Sequence, residues 1–247
     1  MKAQDIIEFI EKFAPQELAI EGDNIGLQVG DEISLKNIEK IAMALDPSLN
    51  VVKKAKEEKI DFLFTHHPIL KDPTRTFTGL IYKKLKILME NNIILYSAHT
   101  NLDICKNGLN DALVDLYKLK DVKYLYENGL GRIGTYDGTF EELLNITKEH
   151  ITKNPTIVNS NAVKDKEILK VAILSGYGLS QKSITYVSEL ADVYISGDLT
   201  HHSKILAEDL GLCLIDGGHY GTEVYGLKLF KKYMEDALNI KIISLDF

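Results

Sequence analysis

The 247-residue chain has no tryptophan, five prolines and only two cysteines. Cys105 and Cys213 stand far apart and in no CxxC spacing, which excludes a disulfide framework and a thiolate metal knuckle. Both are expected as small buried apolar residues in a reducing compartment. No stretch approaches the roughly 18 consecutive apolar residues of a membrane span, so no membrane partner is expected. The opening Met1-Lys2-Ala3-Gln4-Asp5 is acidic where a secretory leader needs an apolar run, and the expected location is cytoplasmic. Cations are the minority charge: 29 Lys and Arg against 36 Asp and Glu leave a net −7. That balance disfavours nucleic acid as a partner and suits a site for cations. Nucleotide and hydrolase signatures are missing too: no P-loop, no GxSxG and no GxGxxG at a strand-to-helix turn. Gly176-Tyr177-Gly178 is too short to serve as one.

What is present reads as a globular α/β protein. Apolar residues make up 45% and charged residues 26%, enough for one large domain or two modest ones. Ile6, Ile7, Phe9, Ile10 and Phe13 recur at helical spacing and predict a helix over 3–13. Residues 21–30 hold three glycines and read as turns around a short apolar segment. A buried strand over 41–45 closes at Asp46, and Ser48 caps a helix over 48–59. Strands over 61–65 and 93–97 alternate with helices over 79–91 and 108–119, with a loop from His99 to Asp103. This alternation predicts a mainly parallel sheet, whose ligands sit beyond the carboxyl ends of its strands. Composition shifts to Lys, Tyr, Asn and Gly around 120–130. We therefore expect two α/β domains, 1–123 and 124–247, with the C-terminal helix and strand packing back on the first. In the second half, strands are expected near 131–137, 156–159, 169–174, 193–195 and 212–215.

Six of the seven histidines fall in patterned positions. His66 and His67 end the strand over 61–65 and are stopped by Pro68; His99 precedes Asp103; His201 and His202 are adjacent; His219 lies four residues before Glu223. Adjacent imidazoles at the end of a buried strand are hard to explain by packing, and imidazole is the commonest side-chain metal ligand. His219 and Glu223 share one face of a predicted helix. Taken alone, that pair is more often a helix start with a solvated carboxylate. His201 and His202 point in different directions on a helix, which suits substrate contact better than joint ligation. Together, His66, His67, Asp103, His219 and Glu223 supply three imidazoles and two carboxylates, a donor set for two divalent ions. Zn, Fe, Mn, Co and Ni all suit it. His99, His201 and His202 are left as candidate proton-moving residues.

Four motifs, Thr-His-His-Pro at 65–68, Ser-Ala-His-Thr-Asn-Leu-Asp at 97–103, Ser-Gly-Asp-Leu-Thr-His-His at 196–202 and Asp-Gly-Gly-His-Tyr-Gly-Thr-Glu at 216–223, resemble the signatures of the NIF3-like family. Members of that family are also known as GTP cyclohydrolase 1 type 2 homologues. Residues 23–30 resemble its N-terminal signature, with Gly22 where an aromatic residue often stands. The resemblance spans the chain in order. It implies the NIF3-like fold of two α/β domains, a dinuclear metal site in the cleft between them, and a homohexamer. It assigns metal binding to His66, His67, Asp103, His219 and Glu223, and places His99, His201 and His202 among residues lining the site. The implied activity is metal-dependent hydrolysis, with GTP cyclohydrolase-like attack on a nucleotide as its specific form. The alternative is a non-catalytic metal-binding regulatory or assembly protein.

Overall fold

The computed structural model describes residues 1–31 and 35–247. The chain divides into two compact units, Met1–Lys106 with Leu227–Phe247, and Asn107–Gly226. In chain order the first unit supplies α1 (Ala3–Phe13), β1 (Gly26–Val29), β2 (Ile41–Ala44), α2 (Leu49–Glu57), β3 (Phe62–Thr65), α3 (Gly79–Glu90), β4 (Ile94–Ser97) and α4 (Thr100–Ile104). The second supplies α5 (Leu109–Tyr117), β5 (Lys120–Tyr124), β6 (Arg132–Asp137), α6 (Phe140–His150), β7 (Thr156–Val158), β8 (Ile168–Tyr177), α7 (Gln181–Ser188), β9 (Val193–Gly197), α8 (His201–Leu210) and β10 (Cys213–Asp216). Helix α9 (His219–Leu238) starts in the second unit and ends in the first, where β11 (Ile242–Ser244) completes the chain.

The first unit's sheet has the order β1-β4-β3-β2-β11. Its two inner pairings are set by apolar strands: every residue of β2, β3 and β4 is buried, as expected for parallel strands covered on both faces. β11, β2, β3 and β4 run parallel, and β1 adds an antiparallel edge. Ala44 lies opposite Thr65, and Thr65 opposite Ser97, so three strands end level with one another. One face carries Ala42, Ala44, Leu63 and Leu95 against Val51 and Val52 of α2. On the other, Phe64 meets Phe230 of α9 with ring centroids 5.5 Å apart, and Phe13 of α1 meets the same ring at 4.8 Å. Ser48 caps α2 by accepting from Val51 N.

The second unit's sheet, β5-β6-β8-β9-β10-β7, is mixed. Only β8, β9 and β10 run parallel to one another; β5, β6 and β7 pair antiparallel. Leu113 and Tyr117 of α5 belong to this unit's core with Leu143, Val171 and Ile195. That packing draws α5 into the second unit and places the division at Lys106, earlier than the composition change near 120–130. β5 escapes the sequence reading because all five residues are exposed and three are charged. The expected loop from His99 to Asp103 is instead α4, with His99 as its N-cap. Thr100 N and Oγ1 both donate to Asp23 Oδ2, so a carboxylate from before β1 starts this short helix.

Candidate functional site

In the first unit the candidate residues gather at the carboxyl ends of adjacent parallel strands. His66 and His67 follow β3, His99 follows β4, and Asp46 follows β2. The three imidazoles form a triangle, with centroids 5.1 Å apart for His66–His67, 5.2 Å for His66–His99 and 5.4 Å for His67–His99. Each offers a ring nitrogen, and the three nitrogens lie within 4.8 Å of one another. His66 is fully buried, and α4 buries Asp103 with its Oδ2 3.7 Å from His66 Nε2. His99, assigned above to proton movement, thus stands within the imidazole group itself.

The orientation of these rings is the most informative feature. His66 Nδ1 lies 2.9 Å from the Ala98 carbonyl oxygen. His67 Nδ1 lies 2.8 Å from Asp46 Oδ1, and His99 Nδ1 lies 2.8 Å from Asp23 Oδ1. A carbonyl or carboxylate oxygen accepts only, so Nδ1 carries the proton and donates. The lone pair of each neutral ring is then on Nε2. Fixing the tautomer through the other ring nitrogen is how proteins prepare imidazole for a metal. Burial alone would push the Asp23 carboxyl up, but hydrogen bonds from His99 and Thr100 outweigh it and hold Asp23 down at about 2.

The second unit also holds an imidazole between carboxylates. β9 leads to Asp198 and β10 to His219, again at adjacent carboxyl ends. His219 Nδ1 lies 2.6 Å from Asp198 Oδ2, and His219 Nε2 lies 3.1 Å from Glu223 Oε1. The hydrogen bond and charge of Glu223, followed by those of Asp198, push His219 up to about 9 against the opposing effect of burial. Glu223 is buried beside Gly176, which has φ +70°. A Cβ there would stand 2.9 Å from Glu223 Cδ, nearer still to Oε1, and 3.3 Å from His219 Nε2. Thr222 secures this approach: its Oγ1 accepts from Gly176 N at 2.9 Å and donates to Gly218 O at 2.9 Å. His201 and His202 open α8, exposed, with their rings edge to face at 5.3 Å. Thr200 caps that helix by accepting from Ser203 N.

These donors fit divalent ions. Two ligands held at roughly 2.1 Å from one ion lie about 3.0–3.4 Å apart. The Nε2–Oε1 separation of 3.1 Å in the second unit falls in that range, and the 3.7 Å between His66 and Asp103 is slightly wider. Neutral imidazole nitrogens and buried carboxylates with no thiolate suit Zn, Fe, Mn, Co or Ni. Sequence reading missed the three carboxylates that orient the rings. Asp23, Asp46 and Asp198 read as turn or capping residues, and the signal available was their place beside strand ends. A cavity of about 740 Å³ also opens in the first unit between β1 and α3, lined by Asn24, Leu27, Ile69, Leu70, Phe77 and Tyr82 among others.

The whole chain is similar to known proteins. A Methanocaldococcus jannaschii protein called GTP cyclohydrolase 1 type 2 homolog is 68% identical over 247 residues, covering all of both chains. A Clostridium acetobutylicum protein of the same name is 34% identical over 254 residues, covering 97% of this chain and 91% of its own. Among solved structures, reduced HcgD from M. jannaschii superposes with a TM-score of 0.97 at 67% identity, over 100% of this chain and 98% of that one. The protein ybgI, described as of unknown function, shares the fold with a TM-score of 0.85 at 21% identity, over 100% and 98%. The model of the Duf34/NIF3 (NGG1p interacting factor 3) family matches residues 1–247, and the chain belongs to that family.

Proposed function

We propose that this protein is a dinuclear-metal-dependent hydrolase, with His66, His67, Asp103, His219 and Glu223 as ligands of two divalent ions. One observation carries the reading: the three imidazoles of the first unit each have Nδ1 against an oxygen acceptor, which directs Nε2 to another task. His99 stands beside these donors in the imidazole triangle. Bound ions would supply Lewis acidity and acidify a water near neutral pH. The chain's own residues do the rest. Asp46, Asp23 and Asp198 hold the rings in one tautomer, and Gly176 leaves room for the Glu223 carboxylate. His201 and His202, exposed at the start of α8, would exchange protons with a substrate. The half-exposed His219 favours a site open to solvent and substrate over a closed structural one.

The cavity in the first unit offers a seat for the substrate's apolar body. Its lining is continuous in sequence with the site: Asn24 follows Asp23, and Ile69 and Leu70 follow His67-Pro68. The shared name of the relatives makes GTP cyclohydrolase-like attack on a nucleotide the first reaction to test. Exposed Phe77, Leu80, Tyr82 and Met89 in the first unit, and Tyr124, Ile168 and Tyr177 in the second, suit a chain that buries surface against further copies. A homohexamer is the assembly proposed, and sedimentation equilibrium tests it. The activity is tested by loading the protein with each ion and assaying GTP, other nucleotides and phosphoesters. Turnover that disappears with a chelator and in His67→Ala supports the hydrolase. Ion binding with no turnover of any substrate assigns the protein to metal-holding or assembly instead.

A further inference from the structure

Asp46 orients His67, and Asp46 is itself held from the far end of the sequence. β11 pairs parallel to β2 with Ser244 opposite Met43, and Leu245 N continues the ladder by donating to Met43 O at 3.1 Å. Lys54 of α2 anchors the same tail through Nζ, 2.9 Å from the Leu245 carbonyl oxygen. The chain then delivers the carboxylate of Asp246 to the turn that follows β2. Leu45 N donates to Asp246 Oδ1 at 2.9 Å and Oδ2 at 3.1 Å, and Asp46 N donates to Oδ2 at 3.2 Å. Two successive amides are thereby fixed at the point where the Asp46 side chain leaves for His67 Nδ1.

We propose that Asp246 is a positioning residue for the candidate metal site: by clamping the Leu45–Asp46 backbone it holds the Asp46 carboxylate against His67 Nδ1 and keeps the lone pair on His67 Nε2. The proposal rests on the reading of His67 as a ligand. Chemistry also argues for more than a strand-end staple. A neutral acceptor would serve the two amides without placing a second negative charge beside Asp46. Burial, and then the Asp46 charge, push the Asp246 carboxyl up, against the hydrogen bonds from the two amides. The same proximity strengthens Asp46 as an acceptor for the imidazole N–H. An Asp46 carboxylate that is mostly exposed, as here, depends on its backbone for orientation more than a packed one would.

The test has two readouts. Histidine ¹⁵N NMR of the metal-free protein reports the His67 tautomer, and chelator competition with Mn²⁺ alone reports ion affinity. Asp246→Ala is expected to shift His67 from the Nδ1–H form towards Nε2–H and to weaken Mn²⁺ binding about tenfold. In an Asp46→Asn background the same change should have no further effect, because Asp246 acts only through Asp46. Should Asp246→Ala fail to fold, Asp246→Asn, which leaves one good acceptor, is expected to give the same pattern at smaller amplitude. An unchanged tautomer overturns the proposal, as does an equal loss of affinity in both backgrounds, which would mark a strand staple only. Wild-type Mn²⁺ affinity in His67→Ala would instead overturn the ligand reading, while the metal-free tautomer still decides the role of Asp246.

Discussion

Gly176→Ala probes the metal reading at a residue that contributes no donor. Two effects are separable. The first is backbone strain: Gly176 has φ +70°, and an alanine in that region costs about 1–2 kcal/mol. The second is displacement. The new Cβ would lie 2.9 Å from Glu223 Cδ, against an ordinary carbon–carbon contact of about 3.5 Å, so the carboxylate must retreat by roughly 0.6 Å or more. Metal–ligand distances tolerate only about ±0.2 Å, so the retreat removes Glu223 from coordination. Gly211→Ala is the control, since Gly211 has φ +71° with nothing within 4 Å of its added Cβ. Urea unfolding of the metal-free proteins should show both variants destabilised, Gly176→Ala by more. Chelator competition should show ion affinity on the order of 100-fold weaker in Gly176→Ala and unchanged in Gly211→Ala. Wild-type affinity in Gly176→Ala, alongside a loss in Glu223→Gln, would refute the claim that Gly176 makes room for a ligand.

Removing the orienting carboxylates one at a time, Asp23→Asn, Asp46→Asn and Asp198→Asn, should each weaken ion binding roughly 10- to 100-fold with the ligands untouched, measured by the same competition. His201→Ala and His202→Ala should keep their full ion content by elemental analysis and lose turnover; loss of ions instead would make them ligands. Cys213 is pushed up to about 12 by burial, above its ordinary value of 9.0. Folding therefore keeps a proton that the unfolded thiol releases. Its contribution to stability is intact below pH 9 and falls by about 1.4 kcal/mol per pH unit between roughly 9 and 12. Urea midpoints between pH 8 and 11 should fall less steeply in Cys213→Ala, and an identical slope would show the thiol ionising equally in both states.

The first unit was legible because its signals are local. Apolar runs at 41–45, 61–65 and 93–97 leave little doubt about strands buried on both faces, and Ser48 and Pro68 mark where chain direction changes. His66 and His67 stand out for the same reason, at the end of such a run. Other features depend on partners distant in sequence. β1 is a strand because β4 offers it an edge, and α4 forms because Asp23, nearly eighty residues earlier, holds its first amide. β5 has no apolar pattern, since an exposed edge strand packs against nothing. The orienting role of Asp46 and Asp198 was hidden because a strand-end Asp looks the same whether it caps a turn or holds a ring. His99 showed its place only once β3 and β4 were known to be neighbours ending level. Asp246 was invisible for a similar reason: nothing local connects the penultimate residue to a turn two hundred positions away.

The central claim is that these imidazoles and carboxylates hold two divalent ions. Anomalous diffraction from crystals of the ion-loaded protein, recorded at the absorption edge of the loaded metal, tests it most directly. The account predicts two peaks per chain, bonded to His66, His67, Asp103, His219 and Glu223 through imidazole Nε2 and carboxylate oxygens, with a water in at least one open position. Ions bound at other residues, or no peak among these donors at saturating metal, would contradict it.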